Sequence, residues 1–496
     1  MRRLTSTQSV TKTLDAQRSV LPIARKNGPY LTIVRQFQGS IVARKKFQYR
    51  GAKPIFPEED YHKAQPRRDQ DGKMIWPAPK SQIEKAKDFI RECAAAGKRT
   101  LIVPDKDADG LAAGAIIRKT LILLGLDPKL ISGYTMNKNS FLNYRDSRTN
   151  MEAYKPSYII VLDQGSWKSE PVIDSPHRAL VIDHHLAEND DHPEGAILVT
   201  ANKCPPIATS SLLTYLICRD LQEGVEEACG WLCVMGTHGD LGNAIRWRSP
   251  FPNMEATFKT HTRRSINSSA MFINAPRRTA AYDVPRAWKT LIEASSPRDL
   301  VKNRFLKDAR AQVIFEMKRA GRVVPKLSAD KKIAVIRINS KAQIHAVIAT
   351  RQARELFSRD LQVVMVANEG YARGVVNYSC RVPTCARGRD PPVNIPEILV
   401  QAADRADDKT LRERLGPRFA VGHKNASGGM IPQAEFEEFL EVIGVESVNK
   451  KPSPSPSPKK SPKGSANQDQ FNKMEKYSTD AARNPCTQAL APRSAN

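Results

Sequence analysis

Three short apolar runs, TLIVP (100–104), SYIIVLD (157–163) and RALVID (178–183), have strand length and no polar face. Runs without alternation predict strands covered on both sides. Around them the period becomes helical. Ile83, Ala86, Ile90 and Cys93 recur at three- and four-residue spacing ahead of Gly97. Ser81 followed by Glu84 reads as a capping box at the start of that helix. LAAGAIIRKTLILLG (111–125) predicts a second helix closed by Gly125, and residues 208–221 and 225–235 predict two more that lead into GTHGDLG (236–242).

Strands alternating with helices predict an α/β fold, a parallel sheet with helices on its faces. Order begins near Trp76, after a basic arm over 1–75. The first domain is expected over 76–300, although residues 250–300 read as irregular. A polar helix within 301–326 links it to a smaller α/β unit over 327–445. That unit reads as strand 332–339, helix 344–358, strands 361–368 and 374–381, a helix from Ile395, and the glycine-rich GHKNASGG (422–429). Residues 446–496 form a Ser/Pro/Lys tail that cannot bury a core.

The formal charge of +26 changes this picture through its distribution. Residues 1–57 hold twelve Lys/Arg against the single acid Asp15, and residues 450–496 hold nine against three. Positive charge concentrated on tails attracts polyanions without reading sequence, or merely aids solubility. SPKK (457–460) resembles minor-groove elements of chromatin proteins, and Ser453, Ser455, Ser457 and Ser461 each precede proline, as proline-directed phosphorylation requires. The Arg- and Ser-rich, acid-poor start suits a mitochondrial transit peptide or a disordered arm of a nuclear protein. Eight scattered cysteines without a CxxC pair predict reduced thiols in an intracellular protein and argue against a zinc knuckle. No run of about 18 apolar residues predicts a membrane span.

The chemistry gathers where the strands stop. DKDADG sets Asp105, Asp107 and Asp109 on alternate positions after the first strand. Carboxylates at this spacing suit a hard divalent cation, although three acids capping the next helix is the plainer reading of the motif alone. An EF-hand loop is excluded, because its twelfth residue must be a bidentate Glu and here is Ile116. Asp163 ends the second strand, and IDHH (182–185) ends the third with imidazole beside carboxylate. Mixed oxygen and nitrogen donors favour manganese or a similar first-row ion over calcium. In open parallel sheets the carboxyl edge is where ligands bind.

DKDADG, VLDQG (161–165), IDHH and GTHGD (236–240), in that order, resemble the four motifs of the DHH phosphoesterases. GHKNASGG resembles the signature of their DHH-associated substrate-binding domain, and the likeness spans about 76–445, nearest the RecJ-like and nanoRNase-like nucleases. The resemblance implies a Rossmann-like DHH domain followed by the smaller α/β domain. By position it implies two Mn²⁺ ions, replaceable by Mg²⁺ or Co²⁺, held by Asp105, Asp107, Asp163, His184 and Asp240. Asp183 would orient the histidines and His185 would face the scissile phosphate. Asp109 and Gly110 would shape the turn, and His238 would pack locally. In the second domain Arg381 and His423 would contact substrate phosphates, with Gly422, Gly428 and Gly429 admitting the backbone. Leu101 stands where many relatives have a histidine, which RecJ-like members also lack; Val421 replaces a glycine and Ser427 an alanine of the signature.

The expected activity is Mn-dependent two-metal hydrolysis of single-stranded nucleic acid or short oligonucleotides. Two alternatives stay open: a phosphatase of small anions such as polyphosphate, cyclic dinucleotides or phosphorylated nucleotides, and a non-catalytic nucleic-acid-binding scaffold. Polarity of digestion, oligomeric state and compartment are not legible. With 6% aromatic residues, no base-stacking platform can be placed.

Overall fold

The computed structural model describes residues 64–185 and 191–445. The features expected of the N-terminal arm before residue 64 and of the tail from 446 lie outside the described residues.

The chain opens with a short hairpin, β1 (Arg67–Arg68) and β2 (Met74–Ile75), inside the stretch read from sequence as arm. Helix α1 (Lys80–Ala96) follows, and its N-cap is Pro79, with no side-chain cap. Ser81 therefore sits within the first turn, and the capping box expected from Ser81 and Glu84 does not form. Proline fixes φ in the helix-compatible range, which suffices to start the helix here.

β3 (Thr100–Pro104), α2 (Ala108–Leu123), β4 (Ile131–Gly133), α3 (Arg145–Glu152), β5 (Tyr158–Leu162), β6 (Arg178–Asp183) and β7 (Ala196–Thr200) build the first sheet. It is five-stranded and wholly parallel in the order β4-β3-β5-β6-β7. Its central strands alternate between two cores. Ile102, Ile160, Leu162, Leu180 and Ile182 enter the larger one, beneath α2. Leu101, Val103, Ile159, Val161, Ala179 and Val181 enter the other, with Tyr134 and Met151. Burial on both faces explains why these strands read as unbroken apolar runs.

α4 (Ser210–Cys218) and α5 (Val225–Leu241) pack with α2 on the larger core. GTHGD belongs to the last turns of α5, so the helix expected over 225–235 runs on to Leu241. Its glycines look like helix breakers, yet they are contact points. A Cβ at Gly239 would lie 2.7 Å from Ala108 Cβ, and one at Gly236 would strike Ser211.

Residues 250–300, expected to be irregular, form α6 (Glu255–Thr260), α7 (Arg263–Ile273), α8 (Val284–Glu293) and α9 (Pro297–Lys302). Side chains of Thr262, Asp283 and Ser296 supply the start signals of the last three. Ile266, Ala270 and Ile273 give α7 its buried stripe. The connecting helix α10 (Arg304–Ala320) then leads to the second sheet.

That sheet contains β8 (Lys326–Leu327), β9 (Ile333–Ile338), β10 (Val363–Ala372), β11 (Val375–Arg381), β12 (Val421–His423) and β13 (Ala426–Pro432), in the order β12-β13-β11-β10-β9-β8. Only β9 and β10 pair in parallel. α11 (His345–Glu355) covers one face, with α10 at its margin. α12 (Ile395–Ala403) and α14 (Gln433–Val442) cover the other, and the short α13 (Leu411–Arg414) joins them.

The two lobes meet at the loop after β4. Lys138 Nζ donates to Tyr371 O at 3.2 Å and lies 4.0 Å from the Tyr371 ring centre. Arg418 donates to the Tyr144 hydroxyl and lies over Phe141 at 4.6 Å. Gln343 N donates to Arg278 O at 2.9 Å. Among the described residues no helix is long and apolar enough to cross a membrane.

Candidate metal centre

The parallel register brings the ends of β3, β5 and β6 side by side. Asp105 N donates to Leu162 O at 2.9 Å, and Asp163 N to Ile182 O at 3.0 Å. The acids that follow these strands therefore converge on one edge. Asp107 is the N-cap of α2, accepting from the amides of Asp109 at 3.0 Å and Gly110 at 3.3 Å. Asp163 occupies the left-handed region at φ 61°, which Asp tolerates better than most side chains, and is 4% exposed.

Asp183 is fully buried and acts as a hub. Its Oδ1 accepts from His184 N at 2.8 Å, His185 N at 3.3 Å and His185 Nδ1 at 2.7 Å, while Oδ2 accepts from Ser166 N at 3.1 Å. An orienting role, implied for it from the sequence, needs contacts of this kind. His184 Nε2 lies 3.3 Å from Asp163 Oδ1 and 3.8 Å from Asp240 Oδ2.

Two donor groups result, each with ligand atoms within 4.8 Å of one another: Asp105, Asp107 and Asp163; and Asp163, His184 and His185. Asp163 belongs to both. Asp240, from the last turns of α5, stands beside the second group. Asp109 points elsewhere. It accepts from Ser210 N at 2.7 Å, Ser211 N at 3.1 Å and the Ser211 hydroxyl, tying the start of α2 to the start of α4. His238 is likewise occupied, by Asn267 at 2.6 Å and Trp247 at 3.0 Å.

The electrostatics show what the cluster lacks. Burial, then the surrounding carboxylates of Asp109, Asp107, Asp105 and Asp183, push the Asp163 carboxyl well above its ordinary range. Burial and Asp109 raise Asp240 to about 6, against the pull of His184. Burial alone would raise Asp107 too, but Arg277, the Gly110 and Asp109 amides and Lys106 hold it low. Burial also opposes ionisation of Asp183, but its bonds to His185 and Ser166 bring it down to about 2. That same bond raises His185 to about 9 against burial. A buried group of carboxylates with an imidazole beside it carries negative charge that divalent cations would neutralise, and its oxygen and nitrogen donors suit first-row ions. The residues present fit such ions.

Several contributors carry little signal in the sequence. Arg277 places Nη2 3.7 Å from Asp107 Oδ2 and donates from Nε to Asn274 Oδ1 at 3.0 Å. Asn274 Oδ1 also accepts from Ala108 N at 3.1 Å. Lys106 pairs with Asp105 at 3.0 Å, and the Ser210 hydroxyl donates to Asp163 at 2.9 Å. Lys106 lies inside DKDADG, and the adjacent arginines of APRRT (275–279) are the other hint in the sequence.

In the second lobe Arg381, Ala426 and His423 lie in one row across β11, β13 and β12, so their side chains share a face. Arg381 donates to its neighbour Cys380 O at 2.8 Å, and His423 is exposed. Each glycine singled out here already has a reason within the fold. Gly422 adopts φ 115°. A Cβ at Gly428 would lie 2.6 Å from Tyr378 O, and one at Gly429 would lie 2.7 Å from the Tyr378 ring.

Residues 99–237 match the DHH family, N-terminal domain. No curated protein matches the chain in sequence. Among solved structures, RecJ with Mn²⁺ from Thermus thermophilus superposes with TM-score 0.53 at 19% identity, covering 74% of this chain and 55% of that one. The chain thus spans about half the length of that protein. A second structure, exonuclease RecJ bound to manganese, gives TM-score 0.51 at 17% identity over 74% of this chain and 94% of the other. The DHH domain of a member of a ribosomal-protein family gives 0.52 at 15% identity, over 74% and 92%. These likenesses extend across both lobes, while the family match covers the first three of the four acidic motifs and the start of the fourth. The chain thus carries, over residues 99–237, a domain that matches the DHH family, N-terminal domain, set within a fold like that of the RecJ structures.

Proposed function

We propose that the chain is a divalent-metal phosphodiesterase, acting on single-stranded nucleic acid or short oligonucleotides. The observation that carries this reading is the pair of donor groups sharing the buried Asp163 at the carboxyl edge of the parallel sheet. Asp105, Asp107, Asp163, His184 and Asp240 would hold two ions, with Mn²⁺ favoured by the mixed donors. Ions bound there lower the pKa of water and neutralise charge on a phosphate.

The remaining parts belong to the protein itself. Asp183 commits His185 Nδ1, so only Nε2 is left to donate to a phosphoryl or leaving-group oxygen. Lys106 and Arg277 add positive charge beside Asp105 and Asp107. Arg381 and His423, on one face of the second sheet, are suited to further phosphates of a strand. Solved RecJ structures of this fold carry manganese, which agrees with the metal assignment.

The test is hydrolysis of end-labelled single strands, from dinucleotides to about thirty nucleotides, with Mn²⁺ and with EDTA. Polyphosphate and cyclic dinucleotides run beside them. Mn²⁺-dependent shortening of the strands is expected. Turnover confined to the small anions would replace this reading with a phosphatase, and no turnover of any substrate would leave a binding protein.

A further inference from the structure

A cavity of about 490 Å³ lies where the end of α5 meets α7, the connecting helix α10 and α11. This is the size of a small-ligand pocket. Arg278, Arg310, Asn243 and Asn267 line it, and no carboxylate does among the described residues. Arg381 and His423, assigned above to the substrate, are not part of its wall.

Neither guanidinium is held in an ion pair: among the described residues neither has a carboxylate within ion-pair distance. Arg310 lies over the Phe272 ring at 5.1 Å. Burial, then repulsion from Arg277, presses Arg278 down to about 10 against the pull of Asp107, still charged at neutral pH. A desolvated cation without a partner is unfavourable, and an anion entering beside it relieves that penalty. Each guanidinium offers the forked donor geometry that phosphate oxygens fill.

The rest of the wall sets the size and character of the ligand. The oxygen of Asn267 is already taken by His238 Nδ1 at 2.6 Å, which leaves its NH₂ as a donor. Met271, Met317 and Val347 form an apolar side. Thioethers adapt to a flat ring more readily than branched side chains do. Guanidiniums and apolar side chains in one lining match a nucleotide better than a bare inorganic anion.

We propose that this cavity is a second anion site, separate from the metal centre, taking a phosphate-bearing ligand of mononucleotide size on Arg278 and Arg310. The ligand is either a free nucleoside monophosphate or one nucleotide of a bound strand; the recognising chemistry is the same. Gly239 forms part of the wall, and Asp240 is the next residue. An occupied cavity therefore abuts the turn that carries a candidate metal ligand.

Calorimetric titration of the full chain in EDTA tests this without any hydrolysis, so its result is independent of the phosphodiesterase reading. Adenosine monophosphate is expected to bind at one site, and adenosine not at all. Arg278→Ala and Arg310→Glu should each weaken binding by about tenfold or more, the loss of a charge-assisted contact. Arg91→Ala, on the exposed side of α1, should leave it unchanged. Arg310 lies on a half-exposed face of α10, so its variant keeps the test open should Arg278→Ala fail to fold, with melting curves as the check. Absence of binding at millimolar nucleotide overturns the proposal, as does binding that both variants preserve or that Arg91→Ala removes. A competing strand of about ten nucleotides identifies the source. Displacement of the nucleotide makes the cavity a subsite of the strand path; simultaneous binding makes it a site for a free effector.

Discussion

Asp163→Asn is expected to lower turnover by about a thousandfold or more while making the metal-free protein more stable. The first effect follows from the position of Asp163 in both donor groups. Loss of a shared ligand removes several kcal/mol of metal-derived stabilisation, and each 1.36 kcal/mol is about tenfold in rate. The second effect has the opposite sign for an electrostatic reason. Without metal, Asp163 is a buried carboxylate crowded by Asp109, Asp107, Asp105 and Asp183. Replacing it by the neutral amide of nearly equal size relieves that repulsion, worth about 1–3 kcal/mol. Asparagine is the substitution of choice because it also tolerates the left-handed backbone at φ 61°.

Melting curves with EDTA and with Mn²⁺ separate the two effects. The wild-type midpoint should rise with Mn²⁺, since a ligand at a hundred times its Kd contributes about 2.7 kcal/mol. The variant should start higher in EDTA and gain little from the metal. An unchanged Mn²⁺ gain, or retained turnover, would remove Asp163 from the centre.

Gly110→Ala should be the most damaging change that leaves every candidate ligand in place. A Cβ at this position would lie 2.7 Å from Asp105 N and 2.8 Å from both Asp105 Cβ and O. Those atoms belong to the end of β3, so relief requires the strand end and α2 to separate. Displacement of a reacting group by about 1 Å is enough to lose about a hundredfold in rate. Overpacking of this kind also destabilises by about 1–3 kcal/mol. The comparison that isolates the site is Gly97→Ala. That glycine has φ 59° and no atom within 4 Å of an added Cβ, so the change strains only the local backbone. Both variants should melt lower, but only Gly110→Ala should lose kcat/KM. Equal kinetics in the two would mean that the DKDADG turn can yield without moving Asp105.

The parts of this architecture legible in the sequence are those whose cause is local. β3, β5 and β6 announce themselves because burial on both faces leaves an apolar run, and an acid where each run stops marks the sheet edge. The end of α5 was hidden because Gly236 and Gly239 look like breakers. Their reason lies in Ser211 and Ala108, reachable only through tertiary packing. The helices between 255 and 302 run only six to eleven residues, so the helical period of Ile266, Ala270 and Ile273, or of Val284, Ala287, Trp288 and Leu291, is too brief to stand out from the loops between them. Arg277 joins Asp107 across 170 positions of chain, and no spacing rule spans that distance. The clustered acids were legible as motif, with Lys106 among them; Arg277 was not.

The Asp183 hub also bears on how such a site can change over generations. One carboxylate holds two backbone amides and one imidazole of the next two residues. Residues 183–185 therefore form a single heritable block. Once the carboxylate is lost, the ring at 185 has no fixed pose, and a further change there forfeits little more. Loss of Asp183 and loss of His185 should therefore be far from additive, the double variant being little worse than Asp183→Ala alone.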